Sequence, residues 1–323
     1  MKITLGLDLY DRHMPFFLGT VPLPKGLELC ALEVGMVPPR RHGIRRHARM
    51  LHEAEFDAAE VSLASYIIAR ERGQPFTAVP VFPRRLFSQN HLFVRADSGI
   101  TAPAHLAGKR VAIWAFQVTM SVLCKGDLLS EYGLDWRSVT WVAEADEELQ
   151  WSPPPGVRLE RMPPGMTGAQ LLLEGNVDAY LNPHPPRSIT ESGGVVRRLF
   201  ANAVAECERY HAKRGYYPIM HLVAVRDDTV AARPSLPQEL MEMWDGAKEI
   251  AAEYYADPGF SELAFARNEL ERQIEVLGRD PWPSGLRANR RNLAEFIGYM
   301  QEQGLIARAP APEALFHPSV LDT

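Results

Sequence analysis

The sequence predicts an α/β protein of two lobes, and three observations carry that reading. The chain has 323 residues, more than one small core needs and enough for two of ordinary size. Apolar strand-like runs alternate with helical runs along most of its length, the mark of a largely parallel sheet. The segment EGNVDAY (174–180) echoes EAEFDAAEVS (53–62), so both halves contain a helix end, a turn, Asp-Ala and an apolar strand. Hydrophobic residues make up 46% and charged residues 23%, the composition of a soluble globular protein. A net charge of −5 gives no basic footprint for nucleic acid.

The elements follow in order. KITLGLDL (2–9) reads as a strand, and GLELCALEV (26–34) as a second that alternates through Leu27, Leu29, Ala31 and Glu33. RRHGIRRHARMLHEAE (40–55) reads as a helix whose inner face carries Ile44, His47, Met50, Leu51 and Ala54. FDAAEVSLAS returns to strand and runs into the helix SYIIARERG, closed by Gly73. FTAVPVFP (76–83) is a strand, and SQNHLFVRADSGI (88–100) is extended. A second series follows: strand RVAIWAF, helix VTMSVLCKGDLLSEYG stopped at Gly133, strand SVTWVAEA, then MTGAQLLLEGNVDAYLNP as helix, glycine stop and strand. WSPPPGVRLERMPPG (151–165) reads as a surface loop. PIMHLVAVRDD (218–228) is extended, and two amphipathic helices, in 238–258 and 288–306, fill much of the remainder.

Other classes fall away. Cys30, Cys124 and Cys207 are far apart with no CxxC spacing, so small buried hydrophobes are expected rather than a zinc knuckle or redox pair. No secretory signal pattern opens the chain, and no apolar run approaches the roughly 20 residues that span a bilayer. The expected location is cytoplasmic, with no membrane partner.

The order of elements and the paired Asp-Ala turns resemble the type II periplasmic-binding-protein architecture, two α/β lobes joined by two crossing strands. The extended runs at 88–96 and 219–226 are placed to be those crossings. Lobe I is then 1–90 plus 226–323, with the C-terminal helices, and lobe II is 91–225.

A sharper pattern comes from seven segments in this order: LDLYDRH, RHARMLHEAEFDAAEVSLASY, AVPVFPRRLFSQNHLFVRADSGI, LAGKRVAI, CKGDLLSEYGLDWRSVTW, GYYPIMH and DPWPSGLRANRRNLAEFIGYMQEQGL. Together they resemble the 4,5-dihydroxyphthalate decarboxylase family over almost the whole chain. The resemblance implies a cytosolic enzyme that converts 4,5-dihydroxyphthalate to protocatechuate and CO2. Other hydroxylated aromatic acids remain open as substrates.

That chemistry is simple to state. Each carboxylate of the substrate has a hydroxyl para to it. A general acid protonates the ring carbon bearing the leaving carboxylate, a base draws the para-hydroxyl proton, and CO2 departs as aromaticity returns. The para hydroxyl is the electron sink, so no organic cofactor is required, and no pyridoxal, flavin or thiamine motif is visible. No HExxH-like metal run occurs either, although distant histidines leave an assembled metal site open. Arginine forks should hold the carboxylate that stays, not the one that leaves, with apolar walls such as Phe82 or Phe116 facing the latter.

Ligands in such folds sit at strand carboxyl ends and helix starts, which selects the candidates. His13 and His221 are the expected acid–base pair. Arg12, Arg46, His47, Ser62, Arg84 and Arg85 are expected to bind substrate in the first lobe, with Arg84 and Arg85 the best carboxylate anchors. Gln117, Thr119 and His184 are expected to do so in the second. Each has a plainer alternative: an exposed turn for His13, a partner such as Asp11 for Arg12, a solvated face for Arg46, a core histidine for His47 and His221. Ser62 could be a helix cap, Arg84 and Arg85 could bridge to an acid such as Glu60, and His184 could be loop. Two other functions compete, a non-catalytic receptor or sensor for an aromatic acid and another lyase on the same scaffold. The expected partner is a small aromatic carboxylate, and the amphipathic C-terminal helices leave room for a homo-oligomer.

Overall fold

The computed structural model describes residues 1–323, and the chain divides into two compact units. Unit 1 comprises Met1–Arg85, His221–Leu293 and Pro310–Thr323; unit 2 comprises Leu86–Met220 and Ala294–Ala309. The first passage between them follows Arg85, ahead of the extended run at 88–96, and the second lies within the run at 219–226. The C-terminal segment is shared between the units, because residues 294–309 belong to unit 2.

The chain opens with β1 (Lys2–Leu7), α1 (Met14–Leu18), β2 (Glu28–Glu33), α2 (Arg46–Leu51), β3 (Ala58–Ser62), α3 (Leu63–Glu71) and β4 (Phe76–Arg85). Unit 2 continues with β5 (Leu92–Arg95), β6 (Arg110–Ile113), α4 (Thr119–Ser130), β7 (Thr140–Ala143), β8 (Arg158–Arg161), α5 (Gly168–Glu174), β9 (Ala179–Leu181), α6 (Arg187–Thr190), β10 (Val196–Arg198) and α7 (Ala203–Arg214). Then come β11 (Ile219–Arg226), α8 (Asp227–Ala232), α9 (Leu236–Tyr254), α10 (Ala266–Leu277) and α11 (Leu286–Glu302).

The sheet of unit 1 has the order β2-β1-β3-β11-β4, with β1 parallel to β2 and β3, and β11 antiparallel to β3. One core packs Ile3, Leu5 and Leu7 of β1 with Val79 and Val81 of β4, Val223 and Val225 of β11, and Leu240, Met243 and Trp244 of α9. Removing such side chains from water, at about 1.5–3 kcal/mol each, is what fixes the strand ends in register. Unit 2 has a six-stranded sheet, β10-β5-β9-β6-β7-β8, whose core joins Phe93, Ala112, Val142 and Tyr180 with Leu171 and Leu172 of α5. Thr167 and Gln170 close a capping box at the start of α5, and Gly175 takes the left-handed conformation that ends it.

Three expectations change. The helix expected over 40–55 contracts to the six residues of α2. Gly43 and Arg45 both have positive φ, and Gly43 and His42 bond back to Arg40 and Glu33, so the leading half is a turn. Ile44 is therefore exposed rather than on an inner face. The proline-rich stretch 151–165 contains β8, added in parallel to β7 at the sheet edge. β4 runs on through Arg84 and Arg85, which places two consecutive arginines in a strand. Cys124 and Cys207 are buried and Cys30 is half-buried, and all three are free thiols. No helix is long and apolar enough to cross a membrane.

Candidate active site

A polar cluster lies in unit 1 at the carboxyl ends of β1 and β3, against the start of β11 and the first turn of α2. Its hub is Glu60 of β3, whose side chain is fully buried. Glu60 accepts from the Asp8 backbone N–H at 3.3 Å, from the Tyr10 hydroxyl at 3.2 Å and from His221 Nδ1. Arg46 Nη2 lies 3.1 Å from the second Glu60 oxygen, and its Nε donates to the Glu60 carbonyl at 2.7 Å. Arg46 also donates to the Val34 carbonyl and approaches Asp8. Arg40 completes the group through Nε to Asp8, at 3.0 Å. The strand register explains the central contact: His221 pairs with Ser62 and Val223 with Glu60, so His221 and Glu60 are diagonal neighbours on one face.

Protonation follows from this setting. Burial alone would raise the Glu60 carboxyl, but the Arg46 guanidinium and the bond from His221 hold it well below the usual carboxylate range. Burial pushes His221 down to about 4, against the opposing pull of Glu60, and Arg84 and Arg46 push in the same direction as burial. At neutral pH His221 is therefore a neutral imidazole. A carboxylate can only accept, so Nδ1 carries the proton and Nε2 presents a lone pair with no hydrogen-bonded partner in the protein. His47 stands edge-on to His221, ring centroids 4.8 Å apart, with its own Nε2 buried and unpartnered. Burial, then the charges of His221 and Arg46, hold His47 well below the ordinary histidine value. Burial and the Glu60 charge raise the Tyr10 hydroxyl, keeping its proton on oxygen.

The two arginines of β4 have different surroundings. Successive strand residues point to opposite faces. Arg85 is buried and donates to Asn289 Oδ1 at 2.6 Å and the Pro283 carbonyl at 3.1 Å, with Phe82 beneath it. Arg84 is 9% exposed and has no hydrogen bond or ion pair within the protein, and its charge acts on Tyr10, His47 and His221. Arg40 and Arg46 balance Asp8 and Glu60, two positive charges against two negative, so Arg84 is a surplus cation at the edge of the cluster. A nearly buried guanidinium without a counter-charge calls for an anionic ligand.

The other candidates are committed to the fold. His13 is completely buried; Nδ1 donates to the Asp8 carbonyl at 2.9 Å, and Nε2 accepts from Trp244 Nε1–H at 3.3 Å. Both ring nitrogens are therefore occupied, and burial lowers this imidazole to about 4. Arg12 donates to the Pro83 carbonyl, pairs with Asp11 at 3.1 Å, and is flanked by the rings of Tyr10 and Trp282. Arg46 is consumed by Glu60, Asp8 and Val34, so it holds the buried carboxylates in place and does not reach solvent. Ser62 caps α3, accepting from Ser65 N–H at 3.4 Å. Gln117, Thr119 and His184 lie in unit 2. The Gln117 amide is locked to the Leu149 backbone in both directions, Thr119 is buried at the start of α4, and His184 is exposed with its backbone N–H donated to Asn182 Oδ1. No group of three or more His, Cys, Asp or Glu side chains is placed to hold a metal ion.

Comparison with known proteins shows the family and the fold. A family model described as NMT1/THI5 like matches residues 31–149. The 4,5-dihydroxyphthalate decarboxylase of Comamonas testosteroni is 31% identical, covering 100% of this chain and 98% of that one. The chain belongs to the 4,5-dihydroxyphthalate decarboxylase family. The decarboxylase of the same name from Pseudomonas putida is 31% identical over 52% of this chain and 68% of its own. Among solved structures, the alkanesulfonate-binding protein SsuA of Xanthomonas axonopodis, bound to MOPS, matches with a TM-score of 0.59 and 14% identity over 98% of both chains. The fold is that of the periplasmic binding proteins.

The segments that resemble the decarboxylase family supply the cluster. LDLYDRH carries Asp8 and Tyr10, RHARMLHEAEFDAAEVSLASY carries Arg46, His47 and Glu60, AVPVFPRRLF carries Arg84, and GYYPIMH carries His221. Sequence reasoning missed Glu60 as hub and Asp8 as its companion. The available signal was one acid in the otherwise apolar strand FDAAEVS, which is costly to bury without a designed partner.

Proposed function

We propose that this protein decarboxylates a hydroxylated aromatic dicarboxylate, 4,5-dihydroxyphthalate being the substrate of choice, with His221 as the proton-transfer group. The observation that carries the reading is a neutral imidazole, oriented by a buried carboxylate, with a free Nε2 near an arginine that lacks a counter-charge. Arg84 holds the carboxylate that stays. His221 Nε2 draws the para-hydroxyl proton, which makes the opposite ring carbon basic. Protonation there by a proton drawn from solvent, loss of CO2 and return of the hydroxyl proton from His221 complete the balance: R–CO2− + H+ → R–H + CO2. Glu60 and Arg46 hold the tautomer that leaves Nε2 unprotonated, the usual arrangement of an oriented general base. Of the acid–base pair expected at His13 and His221, only His221 keeps a ring nitrogen available for this role, because both His13 nitrogens are already bonded. The names of the two relatives support this substrate; the fold by itself supports an aromatic-acid receptor equally well.

The test is incubation of chelator-treated protein with 4,5-dihydroxyphthalate while CO2 and protocatechuate are followed. Release of both in equal amounts is expected. Saturable binding without turnover would replace the enzyme with a receptor, and turnover restored only by Mn2+ or Zn2+ would overturn the metal-free route.

A further inference from the structure

From Ala252 to Asp280 not one residue is buried, although the stretch contains the whole of α10. It also displays apolar side chains that a monomer would be expected to cover. Leu263 and Phe265 are 72% and 77% exposed, and Tyr254, Phe260 and Ile274 are exposed as well. The patch is organised. Phe260 stacks on Tyr254 at 5.2 Å and meets Tyr255 edge-on, while within α10 half-buried Leu270 and Leu277 and exposed Ile274 follow the four- and three-residue steps of one helix stripe, and Leu263 and Phe265 precede it. Spacing of this kind forms the seam of a paired helix. At roughly 150–250 Å² for a whole aromatic side chain, the exposed fractions amount to roughly 500 Å² of apolar surface per copy, the upper range for a monomer's largest patch.

We propose that this surface is an interface with a second copy of the same chain. Charge selects that occupant. Within α10, Arg267 pairs with Glu271 at 2.8 Å and Arg272 with Glu269 at 2.9 Å, and with Glu275 the charges form a nearly balanced set with no basic face for an anionic membrane or nucleic acid. In an antiparallel pair of α10 helices centred near residue 271, Arg267 of one copy lies level with Glu275 of the other, and a two-fold axis repeats the contact. Two such patches together cover roughly 1,000 Å², and with their polar rim they enter the range of stable interfaces. At its C-terminal end the segment is tied down by Lys248, which reaches Asp280 at 3.2 Å and the Trp282 carbonyl at 2.9 Å.

Sedimentation velocity of the full chain at micromolar concentration tests the proposal. The wild type should sediment as a dimer or larger, and Leu263→Glu with Phe265→Glu should weaken self-association at least 100-fold without changing the circular dichroism spectrum. Hydrogen exchange on the wild type supplies a measurement that needs no variant: protection of 263–277 should fall on dilution. A monomeric wild type, a variant that still assembles, or exchange in 263–277 that ignores concentration would overturn the interface. So would a monomer that uses this segment to bind anionic vesicles.

Discussion

Replacing Arg84 by Met separates a ligand anchor from a structural arginine through three signs measured on one variant. The side chain has no ion pair or hydrogen bond to lose, and its charge opposes protonation of His47 and His221. Removing a nearly buried, uncompensated cation should leave the unfolding free energy within about 0.5 kcal/mol of wild type or raise it. Substrate binding should suffer. A fork on a carboxylate supplies two charge-assisted bonds, and losing it costs about 3–4 kcal/mol, or roughly 150- to 900-fold in KM. The third sign is in the pH profile. With Arg84 gone the His221 imidazole is easier to protonate, so the acid limb of kcat/KM should move to higher pH. Urea unfolding, steady-state kinetics with 4,5-dihydroxyphthalate, and kcat/KM between pH 4 and 8 read the three. A variant destabilised by more than about 2 kcal/mol with an unchanged KM would refute the reasoning, because Arg84 would then hold the fold and not a ligand.

Arg85→Met should behave in the opposite way: it strips buried acceptors on Pro283 and Asn289 of their donor, should cost about 2–4 kcal/mol in urea unfolding, and should leave KM near wild type. Thermal melting against pH should show acid lability. His13 and His221 are each lowered to about 4 from an ordinary 6.5, so the folded state binds fewer protons than the unfolded. Their contribution is complete above about pH 6.5 and is lost as the pH falls towards 4, with a ceiling of about 3 kcal/mol each. Asp127 in unit 2 runs the other way. Burial lifts it to about 7 despite bonds from Ser88 and Tyr210, so its contribution fades as the pH rises from about 4 to 7. A melting temperature that stays level from pH 7 to 4.5 would contradict the assignment of two buried neutral histidines.

The fold was readable because its signals are local. Alternation marked β1 and β2, Gly73, Gly133 and Gly175 marked helix ends, and the order of elements gave the architecture. The rule that ligands gather at strand carboxyl ends and helix starts led to Arg46, His47 and Arg84, which belong to the observed cluster, and equally to Arg12, Ser62 and Gln117, whose side chains bond elsewhere in the fold. What could not be read depends on partners distant in sequence. Whether His13 or His221 keeps a free nitrogen is decided by Trp244 in α9 and Glu60 in β3, respectively. Arg84 and Arg85 look equivalent as a dipeptide, and only the strand period sends one towards the histidines and the other towards Asn289. Arg46 was readable as a substrate ligand or a solvated residue but not as the partner of Glu60, because the expected helix extends back over a segment that positive φ values at Gly43 and Arg45 turn into a loop. A loop so placed delivers Arg46 at the first turn of α2, where it reaches Glu60.

The most direct test is the turnover of two matched variants, His221→Asn and His13→Asn. Asparagine can keep the donor that each histidine directs at Glu60 or at the Asp8 carbonyl, and it removes the second nitrogen. The expected result is a fall of roughly 10²–10⁴ in kcat for His221→Asn with an intact fold, and a less stable His13→Asn whose folded fraction keeps kcat within a few-fold. Full turnover by His221→Asn, with kcat abolished in a folded His13→Asn, would contradict it.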